Sequence, residues 1–417
     1  MPTNNKEKIW DVIVVGGGAS GLMSATIASS RGLSVLLLDK NKRLGEKLKI
    51  TGGGRCNITN NEPDFQKFMS VYGAGAPFLY SPFSIFGVKD TFNFFESRGL
   101  PLVEEARYRV FPVSEKATDV VDFFEKQLIK NKVKVENSCL VLNIIKENNQ
   151  ILGVKTNKGN YKGKSFILAT GGLSHPETGS TGDGFKFLRD LGHNVSDPSP
   201  DIVPIEIKED WPKKLSGLSL SFMKITFFLD GQKQFSKKGK ILFTHFGLSG
   251  PLILNSAKLI KPLLVKGKVT AEIDLYPDST IGGLEDRFIK ILDLNKNKIL
   301  KNVLPEIIPE GFGEVINKLI GFVDLGTKVH SLKKEERTKI IRLLKSLPLT
   351  VLGLMGLDRA VVTDGGVSLK EIDTKTMRSK LYNNLYITGD LLNISRNSGG
   401  FSLQICWTTG YVAGVSV

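Results

Sequence analysis

Near the start of the chain a continuous apolar run, Asp11-Val-Ile-Val-Val15, breaks into Gly16-Gly-Gly-Ala-Ser-Gly21 and resumes as Leu22-Met-Ser-Ala-Thr-Ile-Ala-Ser-Ser30. That order predicts a buried strand, a tight turn and a helix, and Ser34-Val-Leu-Leu-Leu38 then predicts a second strand. Residues 62–130 read as helices and loops, and their phenylalanines, among them Phe83, Phe86, Phe92, Phe94 and Phe95, read as core. The alternation in Val133-Lys-Val-Glu136, Leu140-Val-Leu-Asn-Ile-Ile145 and Gly153-Val-Lys-Thr156 predicts an antiparallel meander returning to a buried strand at Ser165-Phe-Ile-Leu-Ala169. Gly182, Asp183 and Gly184 open a helix that runs through Leu191.

Pro198 to Pro204 is a proline-rich junction. Beyond it, the alternation from Phe222 to Asp230, the Asp230-Gly231 turn and Lys240-Ile-Leu-Phe-Thr244 predict an inserted β-barrel-like unit. Ser249-Gly-Pro251 starts a helix, with proline in its first turn. Residues 280–347 carry helical periodicity with lysine-rich faces, and Leu349 to Val362 is β-like again. Asn384-Leu-Tyr-Ile-Thr-Gly-Asp390 predicts a short strand, and Ser398-Gly-Gly-Phe401 opens the last helix. The expected fold is α/β, a doubly wound Rossmann-like domain from 1–197 and 363–417. A β-rich domain (198–277 and 348–362) and a helical subdomain (278–347) interrupt it.

Glycine spacing gives this pattern its chemistry. Gly16, Gly18 and Gly21 stand as G-x-G-x-x-G between strand and helix, the arrangement that allows a tight turn, close approach to a pyrophosphate and close helix packing. Ala19 and Ser20 are then the helix-start residues facing the anion. Asp39, about 20 residues on, is placed to bond a ribose hydroxyl, with Lys40 beside it. Without the surrounding strand and helix, such a triplet reads equally as an ordinary loop. Further along, Gly53, Gly54, Arg55, Cys56 and Asn57 form a glycine-rich polar loop suited to a flat polar ligand. Thr170, Gly171 and Gly172 leave a strand end, Gly389-Asp390 ends a short strand in an acid, and Gly399, Gly400 and Phe401 start the last helix.

The stretch Gly52-Gly-Gly-Arg-Cys-Asn-Ile-Thr-Asn60 resembles the signature of the bacterial FAD-dependent flavoproteins of the YhiN/BaiN type. Similar stretches are Ala169 to Ser174 with Gly179 to Gly184, Leu242 to Pro251, Thr363 to Val367 and Gly389 to Gln404, so the resemblance covers nearly the whole chain. It implies FAD as the held cofactor, NAD(P)H as a transient hydride donor, and reduction of a carbon–carbon double bond conjugated to a carbonyl. Two substrate classes follow from it: uridine in 23S ribosomal RNA, giving dihydrouridine, and steroid-like or bile-acid enones. The chain departs from the family at Asp390, where glutamate is usual, at Asn393 for aspartate, and at Phe401-Ser402 for Tyr-Asn.

Cys56 and His245 are the candidate proton donors. Arg55 beside Cys56 is expected to lower its thiol pKa, with packing against the flavin as the plainer alternative; for His245 the plainer role is a helix-capping or buried structural histidine. His175 reads as a loop histidine. Of the 417 residues, lysine supplies most of the formal net charge of +15, compatible with a phosphate backbone as partner or with a lysine-rich solvated surface. Three scattered cysteines give no disulfide framework or zinc site. No hydrophobic signal region stands in Met1 to Lys8, and no apolar run approaches the ~20 residues of a membrane span; the expectation is a cytoplasmic protein. Two rival activities remain compatible with the residues, an amine or aminoketone oxidase and a flavin-holding RNA-binding factor without turnover.

Overall fold

In a computed structural model, residues 8–309, 311–321 and 324–417 are described; Met1 to Glu7, most of the stretch lacking a signal region, lie outside them. The chain divides into two compact units, Met1–Asp201 with Gly356–Val417, and Ile202–Met355.

The first unit contains strands β1 (Ile9–Val15), β2 (Val35–Leu38), β3 (Thr59–Asn60), β4 (Leu102–Glu105), β5 (Arg109–Pro112), β6 (Lys134–Glu136), β7 (Val141–Glu147), β8 (Gln150–Thr156), β9 (Gly159–Leu168) and β10 (Val195–Asp201). The second unit contains β11 (Ile205–Ile207), β12 (Ser219–Leu229), β13 (Gln232–Thr244), β14 (Gly247–Ser249), β15 (Val269–Asp274) and β16 (Leu347–Leu354); β17 (Val362–Val367) and β18 (Leu385–Ile387) return to the first.

Strands β6, β2, β1 and β9 lie side by side and parallel, and β18 continues parallel to the C-terminal half of β9. The N-terminal half of β9 pairs antiparallel with β8, and β8 with β7. Only β7 to β9 therefore form the expected meander. Val133 to Glu136 does not join it: Lys134–Glu136 pairs with Leu36–Leu38 as the parallel edge of the main sheet. The central strands are buried on both faces, hence their unbroken aliphatic runs. Phe94, Phe95, Phe123 and Phe124 pack with Trp407 of the C-terminal helix Phe401–Ser416, so the phenylalanine stripe is core except for Phe92, which is half-buried.

The second unit is a closed barrel in the order β11-β14-β13-β12-β15-β16, β16 pairing back to β11. Helices Ile281–Leu294, Phe312–Ile320 and Lys334–Lys345 do not build a separate core. Leu284, Phe288, Phe312, Ile340 and Leu344 share one hydrophobic cluster with Ile225, Phe227, Phe243 and Val351 of the barrel. The expected boundary at 362 also moves, because β17 pairs with β10 inside the first unit. Among the described residues no helix is long and apolar enough to cross a membrane, and no group of three His, Cys, Asp or Glu residues is arranged to hold a metal ion.

Candidate flavin site

The chain runs outward from β1 to β2 on one side and reaches β9 on the other, so the strand order reverses at β1. In open α/β sheets, ligands lie beyond the carboxyl ends of the strands at that reversal. A cleft of about 440 Å³, within the size of cofactor pockets, opens there in the first unit.

Its floor is the glycine turn. A Cβ on Gly16 would stand 2.4 Å from the Ala169 carbonyl oxygen at the end of β9, and one on Gly21 would stand 1.9 Å from the Gly16 carbonyl oxygen. Both positions exclude any side chain. A Cβ on Gly18, by contrast, would meet nothing within 4 Å, leaving room over the turn for a ligand. The helix Ala19–Ser30 starts from Gly18 and the C-terminal helix Phe401–Ser416 from Gly400, each without a side-chain cap. Both starts face the same cleft, so uncapped amides and two positive dipole ends meet at one place.

The structure brings most of the expected residues to this cleft. Gly16, Gly18, Ala19 and Ser20 line it, with Asp39 and Lys40, then Gly53 and Asn57, then Thr170 and Gly171, then Asp390, Gly399 and Gly400. Asp39 also fastens the turn, its two carboxylate oxygens accepting from the Gly17 amide at 2.6 Å and the Asn41 amide at 2.7 Å; burial pushes its carboxyl pKa up. Lys40 reaches back to Asp183 at 2.7 Å.

Gly21, Gly54, Arg55, Cys56, Gly172, Gly389 and Phe401 are not on the cleft wall. Gly21, Gly172 and Gly389 serve tight packing: Cβ atoms there would stand 1.9 Å from the Gly16 carbonyl oxygen, 2.6 Å from Thr363 Oγ1 and 2.7 Å from Ser20 Oγ. Arg55 turns away to Glu105 and Glu115 and stacks over Phe111. The expectation of a lowered Cys56 thiol is overturned. Cys56 is fully buried, and burial pushes its pKa up to about 12. The loop it belongs to is tied instead to the C-terminal helix, by Thr59 to Gln404 at 2.6 Å and Trp407 to the Ile58 carbonyl at 2.9 Å, and to the turn before it, by Asn60 to the Gly399 carbonyl at 3.0 Å. His245 lies in the second unit, exposed on the turn between β13 and β14, with its ring edge-on to Phe246; it is neither buried nor a helix cap.

Three residues that the sequence did not single out belong to the site, Lys47 and His175 on the wall and Arg396 behind it. Arg396 is 1 % exposed in its side chain and fully bonded: to Asp390, to the Ile394 carbonyl at 2.7 Å and to Ser402 Oγ at 3.0 Å. Lys47 donates to Ser174 Oγ at 2.6 Å and stands 3.5 Å from Asp390. Burial opposes the charge on Asp390, but Arg396 and then Lys47 outweigh it and hold the carboxyl below the usual carboxylate range. His175, read as a loop residue, lines the cleft with Nδ1 2.8 Å from Glu177.

A second constellation resembles a hydrolytic triad and is not one. His193 lies 2.8 Å from Glu371 and 3.0 Å from Ser379 Oγ, but that oxygen is buried and accepts from the amides of Leu381 and Tyr382. It pins a turn.

The donor set fits FAD. Bare amides at two helix starts suit a pyrophosphate, Asp39 stands at the end of β2 where a ribose hydroxyl would lie, and Gly18 leaves the space that a side chain would fill. A relative from Clostridium scindens, a 3-dehydro-bile acid delta(4,6)-reductase, is 29 % identical over 406 residues, 96 % of this chain and 97 % of that protein. The Haemophilus influenzae ribosomal RNA dihydrouridine synthase is 27 % identical over 412 residues, 97 % of this chain and 98 % of that one. In fold, the chain is similar to 3-ketosteroid-delta4-(5alpha)-dehydrogenase from Rhodococcus jostii RHA1, with a TM-score of 0.54 at 15 % identity, covering 99 % of this chain and 98 % of that one. The HI0933-like protein Rossmann domain matches residues 10–416, so the chain belongs to the HI0933-like family and is a flavin-dependent oxidoreductase.

Proposed function

We propose that the protein reduces a carbon–carbon double bond conjugated to a carbonyl, with NAD(P)H as the hydride donor and uridine in 23S ribosomal RNA as the substrate. One observation carries the reaction class. Two full-length relatives with different substrates, a bile acid delta(4,6)-reductase and a dihydrouridine synthase, bear names that describe the same change, saturation of a C=C bond. In uracil that bond is conjugated to a ring carbonyl. Bound FAD supplies hydride transfer through its ring system. The chain's own residues would hold the cofactor: the Gly16 to Ser20 turn its pyrophosphate, Asp39 its adenosine ribose, and the wall of Asp390, Gly399 and Gly400 its other end. A proton must also reach the substrate. With Cys56 buried off the cleft, His245 is the remaining sequence candidate for that step.

Charge favours RNA over a free enone. The second unit carries 25 lysines and arginines against 16 aspartates and glutamates, more than half of the chain's net charge of +15 in its smaller part. The bile-acid relative is the more similar of the two by identity, so a small enone is the second reading.

The test compares dihydrouridine in ribosomal RNA from cells with and without the gene. Loss of one modified site on deletion, restored by the wild-type gene, is the expected outcome; an unchanged level ends the RNA reading. Anaerobic NAD(P)H should bleach the yellow protein, and substrate should restore the colour. A flavin-holding factor without turnover would stay yellow, and an amine oxidase would bleach with an amine instead.

A further inference from the structure

The sheet order separates the two ends of the cleft. Asp39 follows β2 on one side of the glycine turn, whereas Thr170 follows β9 and Asp390 follows β18 on the other. If the ribose end of the dinucleotide lies at Asp39, its reactive ring system lies toward Asp390. There the wall holds Lys47, Asp390 and behind it Arg396, with side-chain exposures of 22 %, 12 % and 1 %. Two cations share one anion, so these three side chains together carry a net single positive charge in a largely buried place. Glu177 offsets part of it, since Lys47 is among the charges that hold the Glu177 carboxyl below its usual range, but each nearby carboxylate has a nearer partner. Glu46 is turned to Lys49 at 2.9 Å, Glu177 to His175 at 2.8 Å, and the Cys406 thiol beside Asp390 is uncharged, its pKa pushed by burial to about 12.

Lys47 is the member that reaches the cleft. Its ammonium is held between Ser174 Oγ and Asp390, while Arg396 lies behind the wall, its guanidinium spent on Asp390, Ile394 and Ser402. Ser174 is itself fixed, its amide donating to Thr363 Oγ1 at 2.9 Å. An ammonium with so little freedom acts as a fixed charge.

We infer that Lys47, poised by Asp390 and Ser174, is a positioning residue that stabilises the reduced form of the flavin electrostatically. Hydride transfer from NAD(P)H delivers two electrons and one proton, leaving NAD(P)⁺ and placing one negative charge on the flavin ring unless a second proton follows. A fixed positive charge at that end favours the reduced state and makes hydride uptake easier. The inference rests on FAD as the cofactor and not on the substrate, so the RNA assay can fail while it holds.

The test is the midpoint potential of bound FAD, measured anaerobically against a reference dye in the purified yellow protein. Lys47→Met should shift the oxidised-to-reduced ratio at least tenfold toward oxidised, about 30 mV for a two-electron couple. Lys47→Arg should restore most of the shift. Asp390→Asn removes the counter-charge and should shift the potential in the opposite direction. A structural role alone predicts no such pair of opposite signs. Wild-type potential in Lys47→Met, with only weaker FAD binding, overturns the inference, as do shifts of the same sign in both variants. Should Lys47→Met fail to retain FAD, Asp390→Asn decides alone, and an unchanged or lowered potential in it overturns the inference.

Discussion

Arg396 is buried more completely than any other charged side chain among the described residues of the core, and its counter-ion Asp390 is 12 % exposed in its side chain. Removing one partner of such a pair strands the other charge, which costs about 3–5 kcal/mol, whereas removing both is far less damaging. Lys47 still stands 3.5 Å from Asp390, so Arg396→Met should lower stability in urea unfolding by no more than that amount, and adding Asp390→Leu should recover part of it. The pH dependence gives the sign. In the wild type the Asp390 pKa lies below the carboxylate's ordinary 3.8, so its contribution is present above that value and is lost only as pH falls below it. In Arg396→Met the carboxyl loses its main counter-charge and burial raises its pKa, so that variant should gain stability as pH falls from 7 toward 4. None of this was legible at the residues themselves. Gly16, Gly18 and Gly21 can be read from sequence because a backbone requirement there selects one residue type. Arg396 and Lys47 cannot, because their role depends on a partner that only the fold supplies, and Lys47 stands in a run with Lys42, Arg43 and Lys49 that looks like a solvated face.

Elements were legible where one residue pattern allows one structure, and illegible where pairing decides. The strand, turn and helix at Asp11 to Ser30 follow from local pattern alone, but the three-residue strand Lys134–Glu136 alternates in a way that suits either an antiparallel hairpin or a parallel edge. The same holds for the helices after Thr280, whose apolar stripes required a partner surface but did not name the barrel. Helix packing at the site makes a sharper case. The helices Ala19–Ser30 and Phe401–Ser416 approach through Gly410 and Gly414, where a Cβ would stand 2.5 Å from the Ser20 carbonyl oxygen and 2.8 Å from Ile27 Cβ. Helix propensity alone predicts that glycine to alanine stabilises by up to about 1 kcal/mol. Gly410→Ala should do the reverse, losing about 1–3 kcal/mol to overpacking and weakening FAD retention, because the helix start at Ala19 and Ser20 is displaced. Gly282, exposed in the helix Ile281–Leu294 with nothing within 4 Å of a Cβ, is the matched control, and Gly282→Ala should raise the thermal midpoint. Thermal unfolding of the two variants in parallel separates propensity from packing.

At the scale of the whole molecule, the chain leaves the first unit at Asp201 and returns at Gly356, and the unit between is a continuous segment with its own core. Its two ends are neighbours: Ile205 on β11 pairs with Leu354 on β16, and the Met355 amide donates to the Pro204 carbonyl at 3.0 Å. A closed barrel has no exposed edge to protect, and a segment whose ends already meet can be removed without stretching the chain that remains. Every residue lining the cleft belongs to the other unit. The two properties predict a clean division. Residues 202–355, expressed alone, should unfold in a single cooperative transition by circular dichroism and bind no flavin. The remainder, with 202–355 replaced by a short glycine-serine linker between Asp201 and Gly356, should retain FAD and its yellow colour, yet lose turnover if the proton donor is His245. An unfolded 202–355 fragment would mean that the barrel's core depends on the rest of the chain, and a colourless remainder would mean that holding FAD requires more than the glycine turn, the Gly52 to Asn60 loop and the two helix starts.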